Sequence, residues 1–231
     1  EAQQESRHYK LSSCNRKHIK SPASAPSSPI QSHEKDALDL DGFMNSPLGD
    51  KCYASDNQRY SGLRQHISDF EPELIVTSPL RRAIMTTGIA CQQCNPNIRI
   101  VVHPLLREKN HKHKLANWPL ALPDLRDALK HVPRGEEMDL SLLEGLEPFE
   151  EKEDLDAANE RIDEFARWVQ QQPETAIAII THGGVIKQLL DTAQAPCHGS
   201  ALGCTMQDGK MCRVRKRRGT KLLIDSPDHN L

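Results

Sequence analysis

AIAIITHGGVIKQLL, residues 176–190, joins two periodicities at a single corner. Ala176 to Ile180 form an apolar, largely β-branched run, long enough for a buried strand and too short for a helix, bounded upstream by Pro173 and Glu174. After Thr181, His182, Gly183 and Gly184, the apolar residues Val185, Ile186, Leu189 and Leu190 recur at helical spacing. A buried parallel strand therefore ends in a histidine, and two glycines let the backbone turn sharply into a helix. In open α/β sheets ligands sit beyond the carboxyl ends of the strands, and free N–H groups at a helix start favour an anion. A histidine at this corner suits phosphate chemistry. A plain surface turn would use the same glycines, so partners elsewhere in the chain must decide.

Leu74 to Thr77 (LIVT) is a second short buried strand, followed by Ser78 as N-cap and Pro79 at the first helical position. The helix that follows carries Arg81 and Arg82 just beyond the strand end, where a guanidinium can grip phosphate with two parallel hydrogen bonds. Ile98 to His103 (IRIVVH) is a third strand, and Glu108 falls just past its end. Upstream, Tyr60, Leu63, Ile67 and Phe70 mark one helical face, closed by Pro72. Asp124 to His131 is a short helix. Leu155, Ala158, Ile162, Phe165 and Val169 trace an amphipathic helix leading into the strand at 176. Strands alternating with helices predict a three-layer α/β/α fold with a mainly parallel central sheet.

Composition sets the outer limits. The 231 residues suit one domain with tails, and 37% hydrophobic content is lean for a fully packed chain. The expected layout is a poorly ordered segment over 1–40, with its Ser/Pro-rich run Ser21 to Pro29. An α/β domain follows over 41–205, and a basic tail over 206–231 in which Leu222 to Ile224 forms an edge strand. No apolar run approaches a membrane span, and EAQQESRHYK lacks the apolar core of a signal peptide. Seven cysteines without framework spacing favour reduced thiols in a cytoplasmic protein. The run Arg213 to Lys221 is the one feature that would suit nuclear import or nucleic acid, whereas a net charge of −2 argues against a general polyanion partner. Cys91 and Cys94 form a C-x-x-C without a second pair at zinc-site spacing, and read as buried thiols.

TSPLRRAIMT (Thr77 to Thr86), HPLLRE (His103 to Glu108) and ITHGGVI (Ile180 to Ile186) together resemble the histidine phosphatase superfamily, also called phosphoglycerate mutase-like. SPLGDKCYAS (Ser46 to Ser55) resembles, in degraded form, the family segment before its first long helix, and the resemblance covers about residues 46–192. It implies a phosphoglycerate mutase-like fold and a phosphatase that hydrolyses a phosphomonoester through a phosphohistidine. Residue by residue, Arg82 matches the second family arginine, His182 the second histidine, and Glu108 the acid that protonates the leaving oxygen. With Gly183 and the first-motif arginine they would hold the phosphoryl oxygens. Gly183 also stands where the acid-phosphatase branch has Asp, which favours the mutase-like branch. The scheme needs no metal and no cofactor, and its partner is a small phosphorylated substrate.

The first motif departs from the family. An apolar strand should run into Arg-His-Gly, whereas the only Arg-His pair is Arg7-His8, followed by Tyr9 and preceded by the polar EAQQES. His8 is the candidate nucleophile and Arg7 its phosphate-binding neighbour; Gln31, Ser32 and His33 are a second remnant. Two alternatives stay open: a phosphate-ligand-binding or interaction protein that has lost its nucleophile, and a mutase-type phosphotransferase.

Overall fold

The computed structural model describes residues 8–13, 63–110, 117–146, 153–194, 201–207, 209–216 and 222–224. Eight strands are found among them: β1 (His8–Ser13), β2 (Leu74–Thr77), β3 (Arg99–Val102), β4 (Met138–Asp139), β5 (Ala176–Thr181), β6 (Ala201–Gln207), β7 (Lys210–Lys216) and β8 (Leu222–Ile224). The helices are α1 (63–70), α2 (Arg81–Ala90), α3 (Leu122–Leu129), α4 (Leu155–Gln171) and α5 (Gly183–Leu189). The strand order is β4-β3-β2-β5-β1-β6-β7-β8. Pairing is parallel from β4 through β1 and antiparallel from there to β8.

Strand alternation explains the layers. In β5, Ile177 and Ile179 join Leu74, Val76, Val101, Ile162, Phe165, Val169, Val185 and Ile186 in one core beneath α4 and α5. Ala178 and Ile180 point the other way, into a second core with Ile75 of β2, Ile100 of β3, and Leu63, Ile67, Ile84, Leu125 and Leu129 from α1, α2 and α3. A strand buried on both faces reads as a continuous apolar run, which is why β2, β3 and β5 are visible in the sequence. The result is the expected three-layer α/β/α architecture with a mainly parallel sheet. Asp154 caps α4, its Oδ1 accepting from Ala157 N at 2.7 Å. No helix among the described residues is long and apolar enough to cross a membrane.

The structure differs from the sequence expectation in three places. His8–Ser13, expected within a poorly ordered segment, is an interior strand between β5 and β6. HYKLSS alternates only Tyr9 and Leu11 with polar residues, so a search for continuous apolar runs passes over it. Next, the tail expected from 206 begins inside β6 and continues through β7 and β8. The signal lay in Asp208-Gly209, a hairpin dipeptide between residues that pair in register, Gln207 and Lys210, with Gly209 at φ +81°. Finally, Leu80 rather than Ser78 is the N-cap of α2. Arg7, His33, Ser46 to Ser55, His111 and His113 lie outside the described residues.

His103, just past β3, is 3% exposed and packs edge-on against Phe165 and Trp168, with ring centroids 5.1 and 4.4 Å away. Its Nδ1 accepts from Leu105 N at 3.2 Å, which caps the 3-10 turn Pro104–Leu106. Burial pushes its pKa from 6.5 down to about 4. The unfolded chain therefore takes up this proton first as pH falls, and stability declines between those two values. His103→Asn keeps an acceptor for Leu105 N and does not titrate. Urea denaturation at pH 7 and pH 5 should show the native protein losing about 2 kcal/mol more than the variant; equal losses would refute this reading of His103.

Candidate active site

β2, β3 and β5 run parallel, so whatever follows their last residues arrives at one edge of the sheet. Thr77 pairs with Ile180, and Ser78 N donates to Ile180 O at 3.2 Å, which seats Ser78 beside the end of β5. There the fully buried His182 places Nε2 2.7 Å from Ser78 Oγ. That hydroxyl also accepts from Leu80 N at 3.2 Å. The hydroxyl donates when Nε2 is bare and accepts when Nε2 carries the proton. Ser78 thus fixes the imidazole instead of capping α2.

A continuous circuit of contacts links the other expected residues to this pair. Gly184, two residues beyond His182, donates its N–H to Glu108 Oε2 at 3.2 Å. Glu108 Oε1 accepts from Lys109 N at 3.0 Å. Asn117 then bridges back: its Nδ2 donates to Lys109 O at 3.1 Å and its Oδ1 accepts from Arg82 Nη2 at 2.9 Å. Arg82 stands in the first turn of α2, four residues after Ser78. Arg82, Glu108 and His182 are therefore joined at the carboxyl edge through Ser78, Gly184, Lys109 and Asn117. Ser78 and Asn117 are the residues that reading by sequence does not assign to the site. Asn117 sits in a segment without periodicity, and no local signal marks it.

Gly183 is buried and opens α5. The group held at the start of this helix is the protein's own: Glu108 Oε2 accepts the Gly184 N–H. A Cβ on Gly184 would collide with the Glu108 carboxylate, so any other residue here displaces that carboxylate from its present position.

The segment carrying Glu108 is held from behind by a buried ion network. Glu153 and Arg161 are 5% and 7% exposed. Arg161 Nε reaches Glu153 Oε1 at 2.6 Å and its Nη2 reaches Oε2 at 2.8 Å, while Arg107 Nη2 reaches Oε1 at 2.8 Å. Arg161 Nη1 also donates to the carbonyls of Leu105 and, at 3.0 Å, Arg107. Burial presses upward on the Glu153 pKa, but the Arg161 hydrogen bond and the charges of Arg161 and Arg107 outweigh it and hold it below its ordinary value. Lys109 Nζ anchors the far side on Asn159 Oδ1 at 2.6 Å, and burial lowers its pKa. Thr181 Oγ1 donates to Leu106 O at 2.9 Å, tying the same segment to β5.

His8 is not brought to this edge. It pairs with Ala176 at the start of β5, whereas Ser13 pairs with Thr181 at its end. At about 3.3 Å per residue, His8 lies roughly 17 Å from the level of Thr181. The polarity of HYKLSS hid the strand, and with the strand hidden its register was hidden as well. Cys91 and Cys94 belong to the α1–α3 side of the sheet and Cys204 to the α4–α5 side. Among the described residues no group of three or more His, Cys, Asp or Glu side chains could hold a metal ion.

The family model described as Histidine phosphatase superfamily (branch 1) matches residues 54–222. Among solved structures the chain is similar to the ecdysone phosphate phosphatase of Bombyx mori, at 13% identity over 74% of this chain and 68% of that one, with a TM-score of 0.48. It is also similar to a phosphoglycerate mutase from Thermus thermophilus, at 25% identity over 62% and 74%, TM-score 0.35. A third likeness is to a mycobacterial hydrolase, at 14% identity over 96% and 97%, TM-score 0.45. No curated protein matches the chain.

The ion network gives a stability prediction. Arg161→Leu leaves the buried Glu153 carboxylate with Arg107 and the Asn110 N–H, and urea denaturation should register a loss of about 3 kcal/mol. Adding Glu153→Leu removes the stranded charge and should restore most of it; no recovery in the double variant would mean that Arg161 acts by packing alone. Because the Glu153 pKa is depressed, the network's stabilisation is present above pH 4.5 and is lost as pH falls through the folded-state value.

Proposed function

The chain belongs to the histidine phosphatase superfamily, and from that premise we propose that it is a phosphoric monoester hydrolase of the phosphoglycerate mutase-like branch, acting on a small phosphorylated substrate. The observation that carries this reading is the circuit of contacts joining His182, Glu108 and Arg82 at one sheet edge. Arg82 supplies a guanidinium for two phosphoryl oxygens, and His182, fixed by Ser78, supplies a directed imidazole for a third. Glu108, in its protonated form, gives its proton to the leaving ester oxygen as the P–O bond breaks. Phosphoryl transfer needs little else from a protein beyond such positioning and charge.

The nucleophile separates the possible outcomes. A phosphohistidine formed on His8 is incompatible with its pairing opposite Ala176. The phosphoryl group would then pass to water or to a nucleophile other than His8. That same register favours a second reading, in which the site holds a phosphate ligand without turning it over.

Hydrolysis of p-nitrophenyl phosphate and thermal stabilisation by vanadate distinguish the two. Under the first reading, Arg82→Met and Glu108→Gln each lower turnover by 100-fold or more, to order of magnitude, while His8→Ala leaves it unchanged. Vanadate at about 100 times its Kd should stabilise the protein by about 2.7 kcal/mol, and Arg82→Met should abolish that shift. Stabilisation without turnover selects the binding reading. Neither stabilisation nor turnover refutes both.

A further inference from the structure

The C-x-x-C at Cys91 and Cys94 is a sequence motif that the phosphate site does not use. Arg82 stands in the first turn of α2, and Cys91 is the C-cap of the same helix, about 14 Å further along its axis. Cys91 N closes the last helical turn on Thr87 O at 2.9 Å, and Cys94 N then donates to Cys91 O at 3.1 Å. That second bond makes Cys91 and Cys94 the ends of one tight turn. Such ends lie under 7 Å apart at Cα, overlapping the range a disulfide spans. Each thiol perturbs the ionisation of the other.

The surroundings treat the two sulfurs differently. Cys91 is fully buried among Ile84, Ala90, Ile98 and Val132, whereas Cys94 is half-buried. Arg134 holds the turn from outside: its Nη1 donates to Cys91 O and Asn95 O, each at 3.3 Å, and its Nη2 to Pro96 O at 2.9 Å. The thiol hydrogen bond from Cys91, aided by the Arg134 charge, lowers the Cys94 pKa; the same bond and burial raise that of Cys91. Such asymmetry suits an attacking thiol and a resolving thiol.

We propose that Cys91 and Cys94 form a reversible intramolecular disulfide, a redox modification site separate from the phosphate site, driven by a low-molecular-weight disulfide such as oxidised glutathione. The Cys94 thiolate attacks one sulfur of the oxidant, an S–S bond forms to Cys94, and one thiolate leaves. Cys91 then gives up its proton and attacks the Cys94 sulfur, expelling the second thiolate. The protein loses two electrons and two protons, and the small disulfide becomes two thiols.

Trypsin cuts after Arg82 and Arg99, so both cysteines fall in one peptide, residues 83–99. The full chain is equilibrated with oxidised and reduced glutathione, acid-quenched, alkylated in denaturant and digested. The greater part of this peptide should carry no alkyl group and weigh two hydrogens less than the dithiol form, and dithiothreitol should reverse the change. Cys91→Ser should trap glutathione on Cys94, because the resolving thiol is gone. Cys94→Ser should leave Cys91 unmodified in its core position. Recovery of a doubly alkylated native peptide under excess oxidised glutathione overturns the proposal. So does glutathione on Cys91 in the Cys94→Ser protein. The native peptide mass decides the matter even if a serine variant fails to fold.

Discussion

The parallel ladder on both sides of β5 is the constraint from which the rest follows. With β2 on one flank and β1 on the other, no edge of β5 meets water, and its alternate residues must fill both cores. The same ladder brings the ends of β2 and β5 to one level and seats Ser78 beside Ile180. A shift of one residue would exchange Ile177 and Ile179 for Ala178 and Ile180 between the two cores, and would separate Ser78 from His182. Site geometry and core packing therefore share a register, and neither can change alone.

A second constraint acts at right angles to the sheet. Glu108 stands six residues beyond β3, too far for the ladder to fix it, so side chains do the work. Arg161 on α4 reaches the Leu105 and Arg107 carbonyls and the Glu153 carboxylate together, and Thr181 binds Leu106 O. Burying charges this completely costs desolvation energy, and replacement by well-packed apolar residues often stabilises a protein. Their value here is position. The network fixes the height at which the Glu108 carboxylate meets Gly184, and glycine there leaves room for it.

How much of this the sequence discloses depends on what kind of contact fixes each part. β2, β3 and β5 are buried on both faces, so their apolar runs are legible, and so is the edge that Arg82, Glu108 and His182 share. α4 is legible from Leu155 to Val169 by periodicity, although Leu155 itself turns out 52% exposed. β1 is not legible, because backbone pairing to β5 and β6 makes it a strand while its own residues alternate weakly. Ser78 reads as a cap because Ser-Pro before a helix usually is one; only the β2–β5 register shows that its hydroxyl faces His182. Asn117 is set by contacts to residues 35 and 8 positions away, and no local pattern encodes such separations.

The residues around His182 and the strand beside β5 thus have different physical supports. His182, Ser78, Glu108 and Arg82 are cross-linked by side-chain hydrogen bonds among β2, β3, β5 and the helices that follow. β1 is held by its ladder partners whatever residues it carries, since the ladder uses backbone groups. Substitutions along β1 that spare its backbone pairing therefore leave the register of β5 in place. The strand closes in Ser12 and Ser13 at the level of Ile180 and Thr181, and Cys14 is next in sequence. The side-chain hydrogen bonds around His182 and the backbone ladder of β1 are for that reason separate supports, and the register of β5 is what they have in common.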